Sequence, residues 1–273
     1  MKTFFMTLIK LFIKMIFVLL FYVPTVDATN QDVKIGIPFV PKDALKQEAL
    51  SLFGGRVSDQ NILIISKPEP YANGIQIGEF DAFFSKANIG AWAIANHPYE
   101  AVAKLRDPVF LRLVARNDQL DVFEFKDLSY RTICTEGSPD MTFHFLQTLF
   151  DKPGDISERR IFFPEEKIET LLNRHCIGKV VNESRLKLLA DKKDYVTLAR
   201  SQEFAQIGFF IRKDISQNAR KHIVDRLFSA QSKALIDSLK RYFSTPTDEF
   251  IKASNDDYLP IWAEYTPKQW RQP

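Results

Sequence analysis

The sequence predicts a two-lobed α/β protein, a clamshell in which each lobe is a mainly parallel sheet flanked by helices. Strand-like and helix-like segments alternate along most of the chain, an order typical of parallel sheets with crossover helices. Two such series follow one another, and the strand and long helix after residue 207 are too few for a third lobe. They are expected to return to the first lobe, so that two hinge crossings join the lobes.

Residues 1–28 precede the first predicted strand and have the three parts of a secretory signal. Three lysines come before an uninterrupted apolar run at residues 15–23, Pro24 follows it, and small residues end at Ala28. An uncleaved membrane anchor is the alternative, but the apolar run is about half of the ~20 residues that a bilayer span needs. We therefore expect residues 1–28 to be a cleaved signal peptide and the mature protein to be exported.

The first lobe is predicted from residues 29–125 together with residues 208–273. Its N-terminal part alternates apolar, β-branched strands with helices that end near glycine or proline. The predicted strands are residues 33–37, 61–66, 78–85 (a turn into a strand) and 109–116, and the predicted helices are residues 43–53, 71–77 and a stretch that reaches Asn96. A strand at residues 207–212, a helical region at residues 216–242 and an aromatic tail complete the lobe.

The second lobe is predicted from residues 126–207 and begins with a strand, a tight turn and a helix over residues 129–150. Gly137 permits the turn, Ser138 can cap a free N–H of the helix, and Pro139 suits the first helical position. Further strands are predicted at residues 160–163, 176–181 and 195–199, with helices at residues 164–173 and 184–191. The crossings between the lobes are expected near residues 122–128 and 205–212.

Composition and motifs argue against several classes of function. The chain has 37 Lys and Arg against 34 Asp and Glu, and removal of the signal leaves a net charge of about +1, so no nucleic-acid partner is expected. The sequence contains no Gly-x-Ser-x-Gly, His-Glu-x-x-His or P-loop motif. Its histidines show no metal-ligand spacing. We therefore expect no catalytic residue, no metal and no cofactor.

Four short segments follow one another along the chain in an order that indicates a relationship to a known class of proteins. They are Lys34-Ile-Gly-Ile-Pro38, Gly78-Glu-Phe-Asp-Ala82, the stretch from Asp127 to Thr135, and Ile207-Gly-Phe-Phe-Ile-Arg-Lys213. With these segments the chain resembles the substrate-binding proteins of bacterial ABC importers, of the phosphonate-binding or polar amino-acid-binding type, over nearly its whole mature length. The resemblance implies the type 2 periplasmic-binding-protein clamshell, a periplasmic location, hinge motion, a monomer and a permease partner in the inner membrane.

The turns that follow parallel strands meet at one edge of a sheet, so the ligand is expected there. The candidate ligand-binding residues are Phe39, Lys86, Asn88 and Trp92 in the first lobe and Ser138, Thr142 and Glu183 in the second. Trp92 can instead be a packing residue. Ser138 and Thr142 can be only helix caps, and Glu183 can be a solvated acid at the start of the next helix.

The candidate side chains combine a base, an acid, hydroxyls, an amide and aromatic walls. This mixture suits a zwitterion or a polar heterocycle better than a bare dianion, because Glu136, Asp140 and Glu183 would repel one. The resemblance adds phosphonate-like solutes. The predicted function is capture of a small polar solute for an ABC-type permease, without chemistry. The alternative is a non-transport accessory or sensory module that partners a membrane or periplasmic redox or signalling system.

Cys134 and Cys176 are the only cysteines of the chain, and an even number in an exported protein indicates a disulfide. Both lie on second-lobe strands that are predicted to be neighbours. One lies near the end of its strand and the other near the start, which can place them beyond bridging distance. The sequence therefore leaves this disulfide open.

Overall fold

A computed structural model describes the chain at residues 33–38, 44–53, 62–65, 68–135, 141–150, 157–160, 176–183, 186, 194–205, 207–243 and 247–265. The predicted signal peptide at residues 1–28 and the candidates Phe39 and Ser138 lie outside these residues. Within them, no helix is both long enough and apolar enough to cross a membrane.

Strands and helices alternate through most of the described chain. In order they are β1 (Ile35–Pro38), α1 (Ala44–Phe53), β2 (Ile62–Ile65), α2 (Pro68–Gln76), β3 (Ala82–Ser85), α3 (Ala87–Asn96), β4 (Tyr99–Leu105), β5 (Leu111–Arg116), β6 (Thr132–Thr135), α4 (Met141–Leu149), β7 (Ser157–Arg160), β8 (Gly178–Asn182), β9 (Tyr195–Arg200), β10 (Gly208–Arg212), α5 (Gln217–Leu227), α6 (Ser232–Phe243), β11 (Phe250–Lys252) and α7 (Leu259–Tyr265). Two short 3-10 helices, Phe125–Leu128 and Asn255–Asp257, precede β6 and α7.

The first sheet has the strand order β11-β4-β10-β3-β1-β2. Strand β1 is parallel to β2 and β3, whereas β10 is antiparallel to both β3 and β4. Isoleucine and leucine dominate β1 and β2, as expected of strands in a parallel sheet covered on both faces. Strand β4 is not predicted from the sequence, because alanine, which has a low strand propensity, occupies two of its central positions.

The second sheet has the order β7-β6-β8-β5-β9. Strand β5 therefore belongs to this sheet, and its predicted placement in the first lobe is wrong. The chain passes between the sheets at residues 106–110, not at residues 122–128, and it returns after Arg200. An apolar run at β5 indicates a buried strand, but nothing in that local pattern says which sheet the strand joins.

Both sheets are mixed. The parallel pairs are β1 with β2 and β3, and β6 with β7 and β8. Strands β5 and β10 are each the first strand after a crossing, and each runs antiparallel to its neighbours. A strand that enters at the carboxyl edge of a sheet has to run against the parallel strands, so the prediction of mainly parallel sheets holds only for β1–β3 and β6–β8.

One apolar cluster contains side chains from both sheets and from α3, α4 and α7. Helix α3 is buried from Ala87 to Ile94, and it lies very close to β10. A Cβ atom built on Gly90 would be 1.9 Å from Cζ of Phe210, so only glycine fits at this approach. Helix α7 contacts both α3 and α4. The described C-terminal segment therefore packs against helices that flank each of the two sheets.

The structure joins Cys134 and Cys176 in a disulfide, with the two Cα atoms 5.8 Å apart. Strand β6 pairs in parallel with β8, and the N–H of Ile177 donates to the carbonyl of Thr132 at 2.9 Å. This extra hydrogen bond keeps residues 176–177 beside β6, so Cys176 is near Cys134 although it precedes the regular part of β8. The pairing that the sequence left open is thus present in the second sheet.

Candidate functional site

The carboxyl ends of the parallel strands lie at the same edges of the sheets as the two crossings. In the first sheet, Ser85 at the end of β3 pairs with Gly208, which also pairs with Lys104 near the end of β4. In the second sheet, Asn182 at the end of β8 pairs with Leu111 at the start of β5. Ligands bind at such edges in open α/β sheets, so these two edges form the candidate site.

The two crossings pair with each other. The N–H of Val109 donates to the carbonyl of Phe204 at 2.9 Å, and the N–H of Phe204 donates back to Val109 at 3.2 Å. The N–H of Leu105 donates to the carbonyl of Ile207 at 3.1 Å. The connection between the sheets is therefore a narrow ribbon of two paired segments of the chain, a geometry that is suited to a hinge.

Lys86 and Asn88 lie at the first-sheet edge, where β3 leads into α3. Lys86 is the N-cap residue of α3 with extended backbone (φ −62°, ψ 155°), and its side chain makes no capping hydrogen bond. Asn88 is in the first turn and is 1% exposed. The N-terminus of a helix carries a partial positive charge. A base and an amide at this position therefore favour an anionic or strongly polar ligand group.

Ser85, the last residue of β3, is a further candidate, which is absent from the residues predicted from the sequence. Its side chain is fully buried, and its Oγ has no hydrogen-bond partner among the described residues. Buried hydroxyls normally have such a partner, so this one marks a place that a ligand or a water can fill. Its position directly before Lys86 is the signal in the sequence that could have identified it.

Trp92 lies farther along α3 than the other first-sheet candidates. Its side chain is 7% exposed, and its ring packs edge-on against His97, with the ring centroids 4.7 Å apart. Burial lowers the pKa of His97 from its ordinary value. The structure thus places Trp92 in the apolar core beside the C-terminal end of α3, while Lys86 and Asn88 are at its N-terminal end.

Thr135 and Thr142 lie at the second-sheet edge. Thr135 ends β6 and is 1% exposed, and Thr142 lies in the first turn of α4 and is 5% exposed. The structure thus brings one predicted residue, Thr142, to the N-terminal end of α4 with the unpredicted Thr135 at the end of the preceding strand. Both offer hydroxyls that can donate to or accept from a ligand.

Glu183 has a different setting from the one predicted. Its carboxylate oxygen Oε2 accepts hydrogen bonds from Nε of Arg112 and Nε of Arg200, each at 3.0 Å, and the residue is almost fully buried. Two guanidinium groups therefore share one carboxylate, so the three side chains together carry a net positive charge. Repulsion of an anionic ligand by Glu183, assumed in the sequence analysis, is offset by these two arginines.

Arg200 also ties the second sheet to a crossing, whereas Arg112 makes a further contact within the sheet. The guanidinium of Arg200 stacks over the ring of Phe110 at 3.7 Å, an attractive cation–π contact. Arg112 donates from Nη1 to Oγ1 of Thr197 at 3.2 Å. The sequence did not indicate this arrangement, because Arg112, Glu183 and Arg200 are far apart in the chain and meet only through the pairing of β5 with β8 and β9.

The part of the chain that the structure describes contains no group of three or more His, Cys, Asp and Glu side chains that could hold a metal ion. The chemistry available at the two sheet edges is that of hydroxyl, amide, carboxylate, ammonium and guanidinium groups. These groups bind and orient polar solutes through hydrogen bonds and charge.

No protein-family model and no curated protein matches the chain. Solved structures do match it. A protein of Xanthomonas citri bound to ATP is 10% identical, with a TM-score of 0.70 over 88% of this chain and 98% of that chain. PhnD1 of Prochlorococcus marinus in complex with methylphosphonate is 14% identical, with a TM-score of 0.61 over 84% of this chain and 95% of that chain.

A third match is a binding protein component of an ABC phosphonate transporter from Pseudomonas aeruginosa. It is 12% identical, with a TM-score of 0.59 over 84% of this chain and 85% of that chain. At these identities the likeness establishes the fold. The chain has the α/β fold of periplasmic binding proteins, which confirms the fold that the sequence resemblance implied.

Proposed function

We propose that the protein is an exported, periplasmic solute-binding protein that captures a small polar solute between its two sheet edges and delivers it to an ABC-type permease. It acts as a monomer and performs no chemistry on the solute. The observation that supports this most is the position of buried polar side chains, Ser85, Asn88, Thr135 and Thr142, at the carboxyl edges of both sheets in a periplasmic-binding fold.

Charge at the site favours a solute with an anionic group, such as a carboxylate or a phosphonate. Lys86 stands at the N-terminus of α3. At the second edge, the two positive charges of Arg112 and Arg200 exceed the single negative charge of Glu183. A zwitterion or a phosphonate-like solute fits this balance. Because Arg112 and Arg200 offset the repulsion from Glu183, a phosphonate-like solute suits this edge as well as a zwitterion does.

The test is thermal unfolding of the unliganded protein with phosphonates, inorganic oxyanions, amino acids, nucleotides and vitamins. A ligand at a hundred times its dissociation constant stabilises the native state by about 2.7 kcal/mol. Titration calorimetry on each stabilising compound then gives the affinity and the stoichiometry, which we expect to be one. Failure of every class with folded, unliganded protein would contradict solute capture.

The apolar cluster shared by both sheets favours a second candidate function. Opening a hinge exposes whatever apolar surface lies between the lobes, and such exposure is unfavourable. Because α7 contacts helices beside both sheets, opening would also separate these contacts, and the protein would stay closed or open slowly. A module of that kind suits an accessory or sensory role. Small-angle scattering with and without ligand distinguishes the two, since a transport protein changes its radius of gyration on closure.

A further inference from the structure

Tyr258 places a hydroxyl group in the interior beside the first-sheet edge. The residue follows the 3-10 helix Asn255–Asp257 and is fully buried. Its ring packs edge-on against that of Phe210, with the centroids 5.0 Å apart. The hydroxyl is also enclosed, and it has no hydrogen-bond partner among the residues that the structure describes.

Gly208 provides the space that this hydroxyl occupies. A Cβ atom built on Gly208 would be 2.3 Å from the Tyr258 hydroxyl oxygen, so any other residue at this position would collide with it. Gly208 is the first residue of β10, where the chain returns to the first sheet. The tyrosine hydroxyl therefore lies at the sheet edge that carries the candidate site.

Ser85 brings a second hydroxyl to the same place. It pairs directly with Gly208 across β3 and β10, and directly paired residues of antiparallel strands project from the same face of the sheet. The Oγ of Ser85 is likewise buried and without a described partner. Two unpaired hydroxyls, one from the end of β3 and one from the C-terminal segment, thus flank Gly208.

The hydroxyls of Tyr258 and Ser85 differ from those of two other buried tyrosines, Tyr99 in β4 and Tyr71 in α2. The hydroxyl of Tyr99 donates to the carbonyl of Phe80 at 2.7 Å, and the hydroxyl of Tyr71 donates to the carbonyl of Phe84 at 2.5 Å. Leaving a buried hydroxyl unpaired is unfavourable. Two such groups beside Gly208, one of them on the residue directly before Lys86, indicate a position that a polar atom from outside the chain completes.

We propose that the hydroxyls of Tyr258 and Ser85 bind an acceptor oxygen of the captured solute, so that the C-terminal segment supplies a residue that determines ligand specificity. This proposal rests on the proposed function, and it names an uncharged pair of donors for a carboxylate or phosphoryl oxygen. Burial, with the negative charge of Asp257 as a second cause, raises the pKa of Tyr258 well above its ordinary value. The hydroxyl therefore keeps its proton and donates.

An internal water shared by the two hydroxyls is the competing explanation. Unfolding of the ligand-free protein separates the two, with Tyr258→Phe and the matched variant Tyr99→Phe. We expect the Tm of Tyr258→Phe to equal or exceed that of the wild type, because its hydroxyl has no partner until ligand binds. The Tm of Tyr99→Phe should fall. A fall in Tyr258→Phe as large as that in Tyr99→Phe would overturn the proposal.

Binding supplies the second measurement, with methylphosphonate, inorganic phosphate, lysine and ATP as probes for calorimetry. For a probe that binds the wild type, we expect Tyr258→Phe and Ser85→Ala each to raise the Kd about tenfold, while Tyr99→Phe leaves it unchanged. If a probe binds and Tyr258→Phe does not alter its Kd, the assignment of Tyr258 fails alone. If no probe binds folded wild-type protein, this assignment and capture of these solute classes fail together.

Discussion

Leu111 and Ser201 are joined by two hydrogen bonds where the crossings meet the second sheet. The backbone N–H of Leu111 donates to Oγ of Ser201, and the backbone N–H of Ser201 donates to the carbonyl of Leu111, both at 2.9 Å. Both residues are buried. The serine hydroxyl therefore completes the strand pairing of β5 at the point where the second crossing leaves β9.

Removal of that hydroxyl leaves a buried N–H without its partner. We expect Ser201→Ala to lower the free energy of unfolding by about 1–3 kcal/mol, measured by urea denaturation. The control is Ser51→Ala, at an exposed position of α1, which should change it by no more than about 0.5 kcal/mol. Equal effects in the two variants would show that the hydrogen bond to Leu111 adds nothing to stability.

The shared carboxylate of Glu183 predicts a second stability effect. Glu183→Gln leaves two guanidinium groups close together with one neutral acceptor, so we expect a loss of about 1–2 kcal/mol after allowance for the partial exposure of Arg112 and Arg200. Glu203→Gln, on the exposed part of the crossing, is the control with the same change in charge. A loss that does not shrink at high salt would argue against an electrostatic origin.

Part of this structure could be predicted from local sequence and part could not. Strands β1 and β3 and helix α3 follow from short apolar patterns next to turn residues. Lys86, Asn88 and Thr142 are predictable as candidates because they follow strand ends. The placement of β5, and the meeting of Arg112 with Glu183 and Arg200, depend on pairings between distant segments. A local pattern carries no information on such partners.

Replacement of Gly90 by alanine is expected to change the stability in the direction opposite to the one that helix propensity predicts. Alanine is favoured over glycine in a helix interior by about 1 kcal/mol, yet its Cβ would overlap the ring of Phe210. We expect Gly90→Ala to lower the free energy of unfolding by about 1–3 kcal/mol. In the double variant with Phe210→Leu the penalty of the alanine should shrink, and a fully additive result would show that the ring is not the cause.

The disulfide between Cys134 and Cys176 predicts a dependence of stability on reductant. The bridge closes a loop with a sequence separation of 42, for which the loss of denatured-state entropy corresponds to about 4 kcal/mol, with typical measured values of about 2–4 kcal/mol. Wild-type protein should lose that stability on reduction. Protein with both cysteines changed to serine should unfold identically with and without reductant, at the reduced wild-type midpoint.

Calorimetry of the strongest binder from the solute panel tests most directly whether one ligand is held by both sheets. Lys86→Gln alters the first-sheet edge and Thr142→Val the second, and Lys252→Gln, at an exposed position of β11, controls for the loss of a lysine charge. We predict that Lys86→Gln and Thr142→Val each raise the Kd about tenfold, as expected for one lost polar contact, while Lys252→Gln leaves it unchanged. An unaltered Kd in either edge variant, with both folded as the wild type, would contradict binding between the two sheets.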